Sequence, residues 1–261
     1  MFQFKSRNEI ERLFHEIYAI LVNTDRELDK PWVKINKIEF FSNYTPEQIE
    51  SIIMKFTFLT KESWNHIEID KIEFILESLH FLDHDIAQLS KILNYSSFEK
   101  LIKHILALNE YSALNNFRFS DKSHFKQSTS QGRYEVDVVG LSRSNLLLID
   151  AKQWNKRDPP SAINKAANLQ YQRAEALKRN PDIVGDLMKQ LSNRHSEIRK
   201  NLPLIVLPIM VTLEESNIRL NDNHIPVVSI YRLNSFLQEL SDNLYYFNIL
   251  KISKISLQTQ L

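Results

Sequence analysis

The sequence predicts an α/β protein whose carboxy-terminal part holds a sheet flanked by helices, behind a mainly helical amino-terminal part. Three observations lead there. Apolar residues recur at helical spacing through residues 1–94. Beyond them, runs rich in Val, Leu and Ile alternate with helical segments. Apolar residues make up 43% of the 261 positions, enough for a core, and at ~150 residues per domain the length suits two domains. We therefore expect a mainly helical domain over residues 1–94, of unknown role, and an α/β domain over residues 95–261.

Short helices account for most of the amino-terminal part. Apolar residues of 10–17 share one helical face, Thr45-Pro46-Glu47 is the cap signal of a second helix, and a third apolar series covers 72–82. The segment 32–35 alternates too weakly to assign. Residues 85–94 are compatible with a helix-turn-helix, but their pattern favours two packed helices that make no contact with DNA.

The carboxy-terminal part alternates helices and strands. We predict helices from Phe98 to about Asn109, from Ser161 to about Lys178, from Pro181 to about Asn201 and over Leu233–Leu240. We predict strands over Ala113–Phe119, Tyr134–Leu141, Asn145–Gln153, Leu204–Leu213 and Ile225–Ile230. Because proline has no amide hydrogen, Pro208 implies a bulge or an edge in the fourth of these strands.

Composition excludes several classes of function. The chain has three glycines, too few for a Walker A loop or a GxGxxG fingerprint, and no cysteine for thiolate catalysis or Cys-ligated metals. Residues 1–98 carry 11 Lys and Arg against 16 Asp and Glu, whereas residues 99–261 carry 22 against 16. The basic part could therefore face a polyanion. The start of the chain has no apolar signal segment and the longest apolar run, 202–211, is too short to span a membrane, so we expect a cytoplasmic protein without a membrane partner.

Charged side chains interrupt two adjacent apolar strands. Alternate residues of a strand share a face, so Glu135 and Asp137 should project together, and so should Asp150 and Lys152. If the two strands form a hairpin, three carboxylates and one ammonium converge. Hard cations such as Mg²⁺ bind carboxylate and carbonyl oxygens, so Asp137, Asp150 and the carbonyl of Ala151 form a candidate metal site.

This hairpin resembles the PD-(D/E)xK nuclease superfamily, which includes restriction endonucleases and Holliday-junction resolvases. The family signature is an Asp on one strand and (Asp/Glu)-x-Lys on the next, and it matches Asp137 and Asp150-Ala151-Lys152. Glu135 adds the Glu-x-Asp form common in the resolvase-like branch, while Val136 stands where the family name has Pro. The resemblance covers about residues 95–240. It implies a restriction-endonuclease-like mixed sheet flanked by helices.

Two further residues match positions that the family often uses. Glu99 lies on the helix before the strands, where it would assist as a further metal ligand, but Ser96-x-x-Glu99 is also the pattern of a capping box. Gln170 lies within the apolar stripe of the following helix, where a lone amide needs a partner. It would either approach the metal or a phosphate, or bond to the backbone as a core residue.

The resemblance implies Mg²⁺-dependent hydrolysis of phosphodiester bonds in DNA, with Mn²⁺ as a substitute metal. Lys152 would position or activate water, with Glu99, Glu135 and Gln170 assisting. Two alternatives stay open, a nucleic-acid-binding protein without catalysis on the same fold and a protein-interaction scaffold. A homodimer is also compatible with the resemblance. Nearby residues suited to a DNA backbone are Gln153, Trp154, Lys156, Arg157, Arg118, Lys122, Lys126 and Arg133.

Overall fold

The computed structural model describes residues 6–82, 84–121, 132–153, 160–192 and 200–256. The chain divides into two compact units, residues 1–98 and 99–261. Among the helices in these described ranges, none combines the length and the apolar character that a membrane crossing requires.

The first unit contains helices and a small sheet. Its helices are α1 (Arg7–Val22), α2 (Pro46–Ile53), α3 (Lys71–Ser78) and α4 (Ile86–Leu89), and its strands are β1 (Trp32–Lys34), β2 (Leu59–Lys61) and β3 (His66–Ile69). The strands pair antiparallel in the order β1-β3-β2. The expectation of a mainly helical part missed this sheet, because strands of three or four residues are too short to show a period of two.

Aromatic side chains fill the core of the first unit. The ring centroid of Phe14 on α1 lies within 5.6 Å of the ring centroids of Phe56, Phe58, Phe74 and Phe81. Aromatic rings at such distances bury a large apolar area and gain further from their mutual orientation.

The second unit is a mixed α/β structure, as the sequence predicts. Its elements in chain order are α5 (Tyr95–Leu108), β4 (Ser112–Ser120), β5 (Arg133–Ser142), β6 (Asn145–Lys152), α6 (Pro160–Arg179), α7 (Pro181–Leu191), β7 (Leu204–Thr212), β8 (Val227–Ser229), α8 (Ile230–Asn243) and β9 (Leu250–Ile252). The six strands form one sheet in the order β4-β5-β6-β7-β8, and β9 pairs with β7. The neighbours β4, β5 and β6 are antiparallel, whereas β6, β7 and β8 are parallel.

Helices α6 and α7 cover one face of this sheet. Their apolar residues pack with apolar residues of β5, β6 and β7 into one core, which includes Val139, Leu146, Leu148, Ala174, Leu177, Val184, Leu187, Met188 and Val206. The sequence predicted that the second of these helices continues to about Asn201. The structure describes α7 to Leu191, and residues 193–199 lie outside the described residues.

The prediction for Pro208 is confirmed only locally, because β7 is an inner strand that pairs with β6 at Pro208 but is open on its other side at this residue. The other side of β7 explains how the proline is accommodated. That side pairs with β9 over Leu204–Val206 and with β8 from Met210 onward, so neither strand faces Pro208. Met210 donates its amide hydrogen toward the β8 side, and Pro208, two residues earlier, has the same orientation. The missing hydrogen bond of the proline therefore falls in the gap between two partner strands.

Candidate active site

Strands β5 and β6 bring the two motif aspartates together. Val138 lies opposite Ile149, and the same register continued by one residue places Asp137 opposite Asp150. Lys152 Nζ is 2.9 Å from Asp150 Oδ2 and 3.9 Å from Asp137 Oδ2. Asp137 Oδ2 also accepts a hydrogen bond of 2.8 Å from the backbone amide of Ala151. The structure therefore brings both aspartates of the motif to the ammonium group of the motif lysine.

The carboxylate of Asp150 lies between two cations. Its side chain is 2% exposed, and its Oδ1 accepts a hydrogen bond of 2.6 Å from Arg173 Nη1. Its Oδ2 is 2.9 Å from Lys152 Nζ, an ion-pair contact that does not have hydrogen-bond geometry. Each oxygen of this buried carboxylate therefore has a cation beside it.

Helix α6 contributes two polar side chains to the site. Gln170 is fully buried, and its Oε1 accepts a hydrogen bond of 2.7 Å from Arg173 Nη1. That bond joins two side chains, which differs from the expected alternative of a glutamine bonded to the backbone. Gln170 Nε2 donates no hydrogen bond and is buried. The sequence reasoning missed Arg173, although its position three residues after Gln170 puts both on one helical face.

Glu99 is buried near the same carboxylates. Burial raises the pKa of Glu99 to about 7, helped by the negative charges of Asp137, Glu135 and Asp150 and opposed by Lys152. The capping interpretation was wrong, because α5 begins at Tyr95 and the amide of Ser97 donates to Asn94 Oδ1 at 2.7 Å, so Asn94 caps the helix. Glu99 thus lies inside the helix and within the electrostatic influence of the site.

Glu135 is engaged elsewhere. It lies opposite Arg118 on β4, and its Oε1 accepts a hydrogen bond of 2.9 Å from the Arg118 guanidinium. The expectation that Glu135 joins Asp137 in one cluster therefore holds only through its charge, which acts on Glu99.

Next to this pair, Asn116 lies opposite Asp137 where the strand pairing is interrupted, and its φ is 56°. Asparagine tolerates this left-handed conformation better than most residues, and such backbone strain is often found at functional sites.

The residues present fit a magnesium or manganese ion. Within the described ranges, no three His, Cys, Asp or Glu side chains are arranged to hold a metal ion. Mg²⁺ does not need three, because it keeps several waters and is usually held by one or two carboxylates together with substrate phosphates. Asp137, Asp150 and the carbonyl of Ala151 match such a site, because they offer the oxygen ligands that these hard cations bind.

Several candidate contacts to nucleic acid cannot be placed. Trp154, Lys156, Arg157, Lys122 and Lys126 lie outside the described residues. Of the others, Arg118 pairs with Glu135 and Arg133 is exposed at the start of β5.

Comparisons with known proteins add little to this geometry. No protein-family model and no curated protein matches the sequence. Among solved structures, the chain is similar to protein VC1899 from Vibrio cholerae, with a TM-score of 0.38 and 13% identity over 92% of this chain and 53% of that protein. The chain thus spans about half the length of that protein. A similarity this low supports no argument about function.

Proposed function

We propose that this chain is a metal-dependent nuclease that hydrolyses phosphodiester bonds in DNA, on a restriction-endonuclease-like fold. The observation that carries the proposal is the convergence of Asp137 and Asp150 on the ammonium group of Lys152. The mixed sheet supports it, because β5 and β6 are adjacent strands that present the signature residues side by side.

Each residue has a role in the proposed reaction. Asp137 and Asp150, with the carbonyl of Ala151 and with Glu99 as a further ligand, would hold Mg²⁺ or Mn²⁺. The bound ion would neutralise charge on the phosphate and lower the pKa of a water molecule. Lys152 would orient that water. It would also offset the negative charge that develops on the phosphate as the oxygen of the water attacks phosphorus.

Supporting groups complete the proposed mechanism. Gln170 Nε2, which donates no hydrogen bond in the structure, would donate to a phosphate oxygen or to the water. Glu135 would assist from a distance through its charge. The attacking water would give up one proton to solvent as the new P–O bond forms; the bond to the leaving oxygen would break, and that oxygen would take up a proton from solvent.

A cleavage assay on several DNA forms tests the proposal. Linear, circular, single-stranded and branched DNA are incubated with the full chain in Mg²⁺, in Mn²⁺ and in EDTA. We expect cleavage of at least one form with metal and none with EDTA. Lys152→Ala should abolish cleavage while DNA binding stays nearly normal, and Asp150→Asn should also abolish it. Lys251→Ala removes an exposed strand lysine of β9 and should cleave as the unmodified protein does.

Four other results would contradict the proposal. Binding of DNA without cleavage of any form would favour a non-catalytic nucleic-acid-binding protein, and absence of binding would favour a protein-interaction role. If Asp150 and Lys152 form only a structural ion pair, both variants should lower the melting temperature, and activity should fall in proportion to the folded fraction. Cleavage at the original rate by well-folded Lys152→Ala would show that the site is assigned wrongly.

A further inference from the structure

Arg173 is a charged residue of the site that the nuclease signature does not include. A single nitrogen, Nη1, lies 2.6 Å from Asp150 Oδ1 and 2.7 Å from Gln170 Oε1. The Arg173 side chain is 22% exposed, so its guanidinium lies at the boundary between the buried carboxylate and solvent. This position allows it to contact Asp150 and a molecule arriving from solvent.

Two cations contact the two aspartates of the motif directly. Among the described side chains in ion-pair contact here, Asp137 and Asp150 carry two negative charges, and Lys152 and Arg173 carry two positive ones. Glu99 adds negative charge to the site, and Glu135 is paired with Arg118. A divalent cation entering among these groups meets repulsion from both cations, which offsets much of the attraction of the carboxylates. A phosphodiester would change this balance, because it brings a negative charge, an oxygen ligand for the metal and an acceptor for a guanidinium.

We propose that Arg173 makes metal binding depend on substrate binding. It acts as the counter-ion of Asp150 in the absence of substrate, and it binds the substrate phosphate when the metal occupies Asp150. This inference rests on the proposed nuclease function and adds to it the order in which the site fills. Metal and phosphate should each bind weakly alone and strengthen each other's binding by the same factor, as linkage requires.

A purely structural role for Arg173 leads to a different expectation. If the pair with Asp150 only stabilises the fold, removing the guanidinium should lower the melting temperature and leave metal affinity equal or weaker. The proposal expects the opposite sign for metal affinity. Charges of +1 and +2 about 6 Å apart repel each other by the equivalent of about a tenfold change in affinity even in the dielectric of water.

Mn²⁺ binding measured by electron paramagnetic resonance tests the proposal on the full chain. Arg173→Gln should bind Mn²⁺ alone about tenfold more tightly than the unmodified protein. Arg173→Lys keeps the charge and should stay close to the unmodified protein. Lys178→Gln is the matched control, because Lys178 is an exposed cation on the same helix α6, and it should leave Mn²⁺ affinity unchanged.

A second measurement begins with the unmodified protein. A duplex with phosphorothioate linkages, which resist hydrolysis, should raise the Mn²⁺ affinity of the unmodified protein about tenfold or more. In Arg173→Gln this enhancement should shrink, and binding of the same duplex should lose about 0.9 from the slope of log affinity against log salt, because one phosphate contact is lost.

The results separate this inference from the nuclease proposal. If folded Arg173→Gln binds Mn²⁺ no more tightly than the unmodified protein, the inference is wrong, and the cleavage assay still decides the function. If the duplex leaves the Mn²⁺ affinity of the unmodified protein unchanged, the inference is also wrong, even where Arg173→Gln does not fold. If neither protein binds Mn²⁺ under either condition, the inference fails. The nuclease proposal then fails only if DNA is not cleaved.

Discussion

Replacing Glu99 with glutamine should change how the stability of the metal-free protein depends on pH. The Glu99 side chain lies inside α5, is 4% exposed and is surrounded by the negative charges of Asp137, Glu135 and Asp150. Its ionised form is therefore disfavoured in the folded state, first by burial and then by these charges. Glutamine has nearly the same shape and cannot ionise, so Glu99→Gln removes the penalty and keeps the packing.

The magnitude follows from the pKa. Glu99 has a pKa of about 7 in the folded protein against the ordinary value of 4.5. Since the folded state holds its proton to higher pH than the unfolded state, stability falls as pH rises from about 4.5 through about 7. Below that window the carboxyl is neutral in both states and no penalty exists. Above it the penalty is complete and amounts to about 3 kcal/mol, at 1.36 kcal/mol for each pKa unit.

Urea denaturation at pH 5 and pH 8 in EDTA measures this penalty. Relative to the unmodified protein, Glu99→Gln should gain about 2.5 kcal/mol between the two pH values, because a small part of the penalty is already present at pH 5. Glu239→Gln, which replaces an exposed glutamate of α8, should shift the stabilities at both pH values equally. A difference below about 1 kcal/mol for Glu99→Gln would refute the reasoning, because the charge would then be solvated in the folded protein.

Two further substitutions test the packing that positions the site. Gly140→Ala should lower stability by about 1 kcal/mol in thermal denaturation, since a Cβ there would lie 3.0 Å from Leu106 Cδ1, and greater stability would show that the leucine moves freely. Asp121→Ala should lower it by about 3 kcal/mol, because this buried carboxylate bonds to Arg179 at 2.8 Å, whereas Asp186→Ala at an exposed pair should lower it by less than about 1 kcal/mol. Equal losses for the two aspartates would contradict the role of burial.

The sequence predicted the helices of the second unit and its strands other than β9, because their patterns are local. Long apolar runs mark β5, β6 and β7 as strands, and the register of β5 with β6 follows from the tight turn between them. The charged residues at the ends of these strands could then be placed together. The order of strands in the sheet and the pairing of β9 with β7 depend on contacts far apart in the sequence, which no local pattern encodes.

Errors at the site arose where a side chain had two nearby partners. Ser96 and Glu99 have the spacing of a capping box, but Asn94 is also a strong cap, and the helix begins after Asn94. Glu135 has the correct strand parity to join Asp137, but Arg118 lies directly opposite on β4 and binds it. In both cases the sequence contains the deciding residue, Asn94 or Arg118. It does not show which side chain that residue contacts in the folded protein.

The arrangement around Asp150 is poorly explained as a device for stability. Leucine and isoleucine fill the stretch of β6 from Leu146 to Ile149, and an apolar residue at position 150 would continue that core. Replacing a buried ion pair with apolar residues is often neutral or stabilising, so a fold gains little from a carboxylate there. Gln170, which shares the guanidinium of Arg173 with Asp150, is fully buried, and its amide nitrogen Nε2 has no hydrogen bond. Unsatisfied buried groups of this kind lower stability, and they are expected where a ligand completes the set. The phosphate proposed here would accept a hydrogen bond from that nitrogen.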